Sequence, residues 1–193
     1  MMNSRHLELE AFIRDVDRIV HERKSEEALT SEIAERMQQL LQKGDVLPSQ
    51  YRQPQSKYAL YPLHVAVDES FSIAIVVWDV GQSTPMHDHG TWGVIGVVQG
   101  TEHEIQYARP SIEGEALMVR RDRYLQEGEV DICCSSEQDI HKVECASPEP
   151  CVGIHVYGGN IGKIERHTYD PHTWAKKVSV TPWVPVPSSH SRP

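Results

Sequence analysis

Apolar residues near the start of the chain recur every three to four positions. Leu9, Phe12, Ile13, Val16, Ile19 and Val20 form one helical stripe, which predicts an amphipathic helix over residues 7–23. Ser25 is placed to cap a second helix, and Glu26 and Glu27 in its first turn complement the helix dipole. The stripe of that helix is Leu29, Ile33, Met37, Leu40 and Leu41, with Gly44 as the expected stop. This hairpin carries no chemistry and is expected to cover a sheet face or edge. From about Tyr58 the pattern changes to short β-rich runs: residues 71–78, 93–98, 102–107, 116–120, 130–134, 142–145 and 151–157. Gly81, Gly100, Gly114, Gly128 and Gly158 punctuate them. Many short strands at even spacing predict an all-β core, a sandwich or a barrel. The proline-rich tail over residues 178–193 reads either as an extended strap or as disorder.

Length and charge narrow the picture. The 193 residues suffice for one domain with a real core, here divided into N-terminal helices (1–45), a β core (58–170) and the tail (178–193). A net charge of −9 argues against nucleic acid or an anionic membrane as partner. It does not argue against a small acidic substrate, because one local arginine can bind a carboxylate. The start leads into an amphipathic helix rather than an apolar signal segment, and no run is apolar enough to span a bilayer. A cytoplasmic location is therefore expected. Cys133, Cys134, Cys145 and Cys151 form no C-x-x-C pair and read as reduced, buried strand residues.

Candidate chemistry begins at residues 85–93, Pro-Met-His-Asp-His-Gly-Thr-Trp-Gly. In an extended strand His87 and His89 point to one face and Asp88 to the other. Two neutral imidazoles aimed at one point are half of a metal site. His141, after a strand-like run and a polar turn, is the candidate third ligand. His103 is its rival, but between Glu102 and Glu104 it looks like part of a charged outer face. Both non-haem iron and zinc accept a three-histidine set. Trp92 is expected to line the pocket wall, and His64, His167 and His172 are given no role.

The spacing of Gly81, His87-x-His89, Gly93 and Gly100 resembles the first cupin motif, with Gly93 where most cupins carry a glutamate ligand. The resemblance implies a cupin double-stranded β-helix, or jelly-roll, barrel with an N-terminal helical hairpin. Together with residues 153–162, Gly-Ile-His-Val-Tyr-Gly-Gly-Asn-Ile-Gly, the histidine motif resembles the cysteine dioxygenase family of cupins over residues 58–169. Trp92-Gly93-Val94-Ile95-Gly96 and the run from His155 to Gly162 look like its bacterial 3-mercaptopropionate dioxygenase branch.

The resemblance implies Fe(II) held by His87, His89 and His141. It implies oxidation of a small thiol carboxylate by O2 to a sulfinic acid, with 3-mercaptopropionate favoured and cysteine next. His155 and Tyr157 match two members of the family's serine–histidine–tyrosine group and are the implied catalytic pair. Gly153 stands at the serine position, so water or another side chain has to orient His155. The arginine that binds the substrate carboxylate in mammalian-type enzymes falls at Leu60. Arg166 matches the arginine used in the mercaptopropionate branch. Gly93 also falls at the thioether-forming cysteine, so Tyr157 is expected to be free of a cross-link. The alternative reading is a non-catalytic metal-binding cupin or sensor.

Overall fold

The structure is a computed structural model and describes residues 4–108, 115–133 and 140–187. Two helices come first, α1 (Ser4–His21) and α2 (Glu26–Leu41). The Ser25 side chain accepts a hydrogen bond from the Ala28 amide, as the capping pattern predicts. Leu29, Ile33, Met37 and Leu40 are buried as one stripe. The helix ends at Leu41, and Gly44 turns the chain at φ 81°.

Eleven strands follow among the described residues: β1 (Ala59–Val65), β2 (Ser72–Trp78), β3 (Met86–His87), β4 (Gly93–Gln99), β5 (Thr101–Ala108), β6 (Met118–Gln126), β7 (Val130–Cys133), β8 (Ile140–Cys145), β9 (Cys151–Tyr157), β10 (Arg166–Tyr169) and β11 (Lys176–Ser179). They form two antiparallel sheets, one ordered β1-β2-β9-β4-β7 and the other β11-β10-β3-β8-β5-β6. The sheets face each other as the double-stranded β-helix expected from the cupin resemblance. Leu60, Ala74, Val76, Trp78, Cys151 and Tyr157 of the first sheet meet Val143 and Cys145 of the second in one interior cluster.

The helices cover the outer face of the five-stranded sheet. Ile73, Ile75, Val77, Val94, Ile154 and Val156 pack there against Val16, Ile19, Ile33 and Met37. This explains why residues 71–78 are apolar without alternation: β2 is buried on both faces. Gly96 sets how close the helix comes, since a Cβ there would lie 2.7 Å from Met37 Cγ. Each such fully buried aliphatic side chain contributes roughly 1.5–3 kcal/mol.

Four strands lie outside the predicted runs. β1 contains Pro62, which an edge strand tolerates, and its register with β2 shifts between Pro62 and His64. β3, β10 and β11 are too short for a period to be visible in sequence. The run expected over residues 116–120 belongs to a longer strand that ends at Gln126. Its charged continuation through Arg121, Asp122 and Arg123 lies beyond the predicted run and forms part of a largely exposed edge. Cys133, Cys145 and Cys151 are buried, as the strand reading expects; Cys134 and Gly114 lie outside the described residues. Residues 180–187 run as an extended strap, in which Val184 N donates to Leu60 O at 2.9 Å and Trp183 Nε1 to Asn160 Oδ1 at 2.9 Å. The rest of the proline-rich tail lies outside the described residues. No helix among the described residues is long and apolar enough to cross a membrane.

Candidate metal centre

β3 is only two residues long, yet it is held on both sides. His87 sits directly opposite His141 of β8 and Thr168 of β10. His89 lies beyond the end of β3, so the extended geometry expected for the whole motif holds only for its first histidine. The imidazoles converge nonetheless. Ring centroids are 4.9 Å apart for His87 and His89, 4.7 Å for His87 and His141, and 4.8 Å for His89 and His141. One ligand atom from each lies within 4.8 Å of the other two.

Asp88 points away from this cluster, as alternation predicts, and it has a structural task. It is 3% exposed and accepts from the amide of His167 at 2.6 Å, from His167 Nδ1 at 3.1 Å and from Tyr169 Oη at 2.8 Å. His167, given no role from sequence, therefore helps to lock the loop between the two histidines to β10.

The donor set fits a metal ion. Burial, and then the neighbouring His141, push His87 and His89 well below the usual imidazole range, so both rings are neutral with lone pairs to give. His87 Nδ1–H donates to Pro85 O at 2.9 Å, and His141 Nδ1–H donates to Glu104 Oε1 at 2.7 Å. In both rings that arrangement leaves Nε2 as the electron-pair donor. A carboxylate behind a ligating imidazole is the usual support of a metal-bound histidine.

Glu104 is a residue that sequence reading placed on the wrong face. His103 does lie on the outer face of β5, between Glu144 and Asp122 and stacked on Tyr124. Period-two alternation then turns Glu102 and Glu104 inward, where both are 1% exposed. The signal was present in the strand pattern, but three consecutive polar residues masked it. Burial would raise the Glu104 pKa. The hydrogen bond from His141 and the charge of Arg123 outweigh it and hold Glu104 down at about 2.

Arg166, His155 and Tyr157 stand around the same small cavity of about 30 Å³ as the three histidines. Leu60, Val76 and Ile161 supply its apolar wall, so the Leu60 position carries no cation. Arg166 is 7% exposed and donates from Nη1 to Ile161 O at 3.0 Å; among the described residues no carboxylate pairs with it. The His155 Nδ1 and Tyr157 Oη atoms are 2.8 Å apart, and the Tyr157 ring lies 5.3 Å from that of His89. Burial, followed by the field of His141, lowers His155 to about 3, and burial raises the Tyr157 phenol. Gly93 lies against Tyr157: a Cβ there would meet Tyr157 Cδ1 at 3.2 Å. Trp92 is not part of this wall. Its indole lies over Gly158 and packs with the outer cluster of the first sheet.

Among solved structures, an uncharacterized conserved protein with a double-stranded β-helix domain from Klebsiella pneumoniae subsp. pneumoniae MGH 78578 is 17% identical. That match covers 58% of this chain and 82% of that one, with a TM-score of 0.46. An RmlC-like cupin family protein from Methanocaldococcus jannaschii is 10% identical over 56% of this chain and 85% of its own, with a TM-score of 0.42. Residues 55–170 match the family model described as cysteine dioxygenase type I. That match runs from β1 through β10 and over more than half of the chain, and the protein therefore belongs to the cysteine dioxygenase type I family.

Proposed function

We propose that the protein is a non-haem Fe(II) thiol dioxygenase acting on a short thiol carboxylate, with 3-mercaptopropionate favoured over cysteine. The observation that carries the reading is Arg166. A guanidinium that is 7% exposed, without a carboxylate partner among the described residues, shares one cavity with three imidazoles. A buried unpaired charge is costly, and an anionic ligand relieves that cost. The fixed fork of arginine matches a carboxylate in bidentate geometry. The family match supports the oxygenase chemistry, and the all-histidine donor set supports a cationic centre that favours thiolate.

In this reading His87, His89 and His141 hold the metal through Nε2, and Glu104 fixes the His141 tautomer. Bound Fe(II) supplies the O2 chemistry and the acidification of the substrate thiol. Arg166 anchors the far end of the substrate, which fixes its sulfur next to the histidine cluster and removes most of its orientational freedom. Leu60, Val76 and Ile161 exclude water from the wall beside the substrate. Tyr157 keeps its phenolic proton in the ground state and presents Oη to the cavity. His155 holds Tyr157 in place through Nδ1. The uncharged Leu60 position disfavours the mammalian-type carboxylate anchor.

The test is oxygen uptake after anaerobic loading with Fe(II), using 3-mercaptopropionate, cysteine and cysteamine. Stoichiometric O2 consumption with sulfinate product, fastest with 3-mercaptopropionate, is the expected result. If no thiol gives sulfinate, the protein is a metal-binding cupin without this activity. If zinc loading alone yields an active enzyme, the chemistry belongs to another class.

A further inference from the structure

We infer that Glu102 is the positioning residue for His155 in this chain, facing its Nε2 across the space that a side chain at Gly153 would fill. The relay behind the cavity then runs Glu102–His155–Tyr157. This inference rests on the roles proposed above for His155 and Tyr157, and its test reads the imidazole itself.

Two buried polar atoms point to this pairing. Glu102 Oε1 and His155 Nε2 are both buried without a hydrogen-bond partner. Unpaired buried polar atoms are rare and call for an explanation. The two converge on one point: a Cβ built on Gly153 would lie 2.6 Å from His155 Nε2 and 3.0 Å from Glu102 Oε1. Two atoms so placed are separated by no more than the sum of those distances, a span closed by a small side-chain shift or by one bridging water. Backbone pairing sets up the approach. Val76 of β2 and Val97 of β4 flank Gly153, and Glu102 enters from β5 of the opposite sheet. Any side chain at residue 153 would press on the imidazole, so the missing hydroxyl and the arriving carboxyl occupy the same place.

The charge state of Glu102 sets what it does. It is buried, and the charged group that acts on it is Glu104, of like sign; burial and Glu104 together raise it to about 8. It therefore carries a proton at neutral pH and donates to His155 Nε2. His155 must then hold its own proton on Nδ1 and donate it to the Tyr157 oxygen. That leaves the phenolic proton of Tyr157 free to point into the cavity. The opposite tautomer would consume that proton on Nδ1. Glu102 thus decides which way the relay is polarised, without touching substrate.

Imidazole 15N NMR on the full chain, metal-free and loaded with diamagnetic Zn(II), tests this directly. His155 is expected as the Nδ1–H tautomer in the native protein. Glu102→Leu should convert it to Nε2–H and leave Zn(II) uptake unchanged. Glu102→Gln, whose amide still donates, should keep the Nδ1–H form. With Fe(II), Glu102→Leu should lower kcat by about tenfold with little change in KM, in the range known for residues that orient a functional imidazole. An Nε2–H tautomer in the native protein, or an unchanged tautomer in Glu102→Leu, overturns the inference. If Glu102→Leu does not fold, the native and Glu102→Gln spectra still decide it. Correct tautomers in a protein that oxidises no thiol would overturn the proposed function and leave this pairing standing.

Discussion

Glu104 Oε1 lies 2.7 Å from Nδ1 of His141, and both side chains are buried. The contact is a diagonal one between β5 and β8, where Glu104 stands opposite Val143, two residues along from His141. Arg123 closes the other side of the carboxylate through Nε at 2.9 Å. Glu104→Ala would remove the group that fixes the His141 tautomer and leave Arg123 with less compensation. Metal affinity is expected to fall by about 10–100-fold, as for other carboxylates behind a ligating histidine. Competition against a chelator of known affinity measures it. Unchanged affinity would mean that His141 needs no such support, or is no ligand.

Asp88 should matter for stability as much as for the site. It accepts two hydrogen bonds from His167 and one from Tyr169, and it sits between two of the three clustered histidines. Hydrogen bonds to a charged acceptor contribute about 1.5–3 kcal/mol each, so Asp88→Ala should destabilise the fold by about 3 kcal/mol or more. Urea denaturation of the metal-free protein gives the value. Metal affinity should fall in the same variant, since His87 and His89 lose their shared anchor to β10.

The proposed anchor can be isolated from the metal chemistry. Arg166→Ala should reduce kcat/KM for thiol carboxylates by about 10–100-fold, the loss of one charge-assisted contact. Cysteamine, which has no carboxylate, should not share that loss. Steady-state O2 uptake with both thiols makes the comparison. An equal effect on both would assign Arg166 to the architecture of the cavity rather than to substrate.

Sequence patterning carried a large part of this architecture for identifiable reasons. The helical stripes and the apolar runs of β2, β4 and β9 are visible because burial forces their periodicity. The glycine and histidine spacing around His87 and His89 is visible because the two imidazoles that converge on one cluster are also neighbours in sequence. What escaped detection was set by long-range pairing. The strand nature of Arg166 through Tyr169 comes from partners on β3 and β11, not from its own composition. Asp88 acquires its task from residues 167 and 169, about eighty positions away. Glu102, His103 and Glu104 look like one charged outer face in sequence because all three are polar, and only strand alternation separates the two buried carboxyls from the imidazole between them.

Glu102 also gives a pH signature of stability. Its pKa is raised from an ordinary 4.5 to about 8, first by burial and then by Glu104. Below the lower value the carboxyl is protonated in both folded and unfolded chains, and its burial carries no pH dependence. Between the two values the unfolded chain gives up the proton and the folded chain keeps it. Stability therefore falls as pH rises, by about 1.4 kcal/mol per unit, and levels off once the folded carboxyl also ionises. The depressed histidines at the site act oppositely below their ordinary pKa, so the native curve alone mixes both effects. Glu102→Gln cannot ionise but leaves those histidines in place, and the difference between the two proteins isolates Glu102. Urea midpoints of both metal-free proteins, taken from about pH 5 to about pH 8, should show the variant gaining on the native protein steadily with pH. Parallel curves would mean that Glu102 is already ionised in the folded state. His155 would then donate from Nε2 to a carboxylate, the tautomer that overturns the proposed relay.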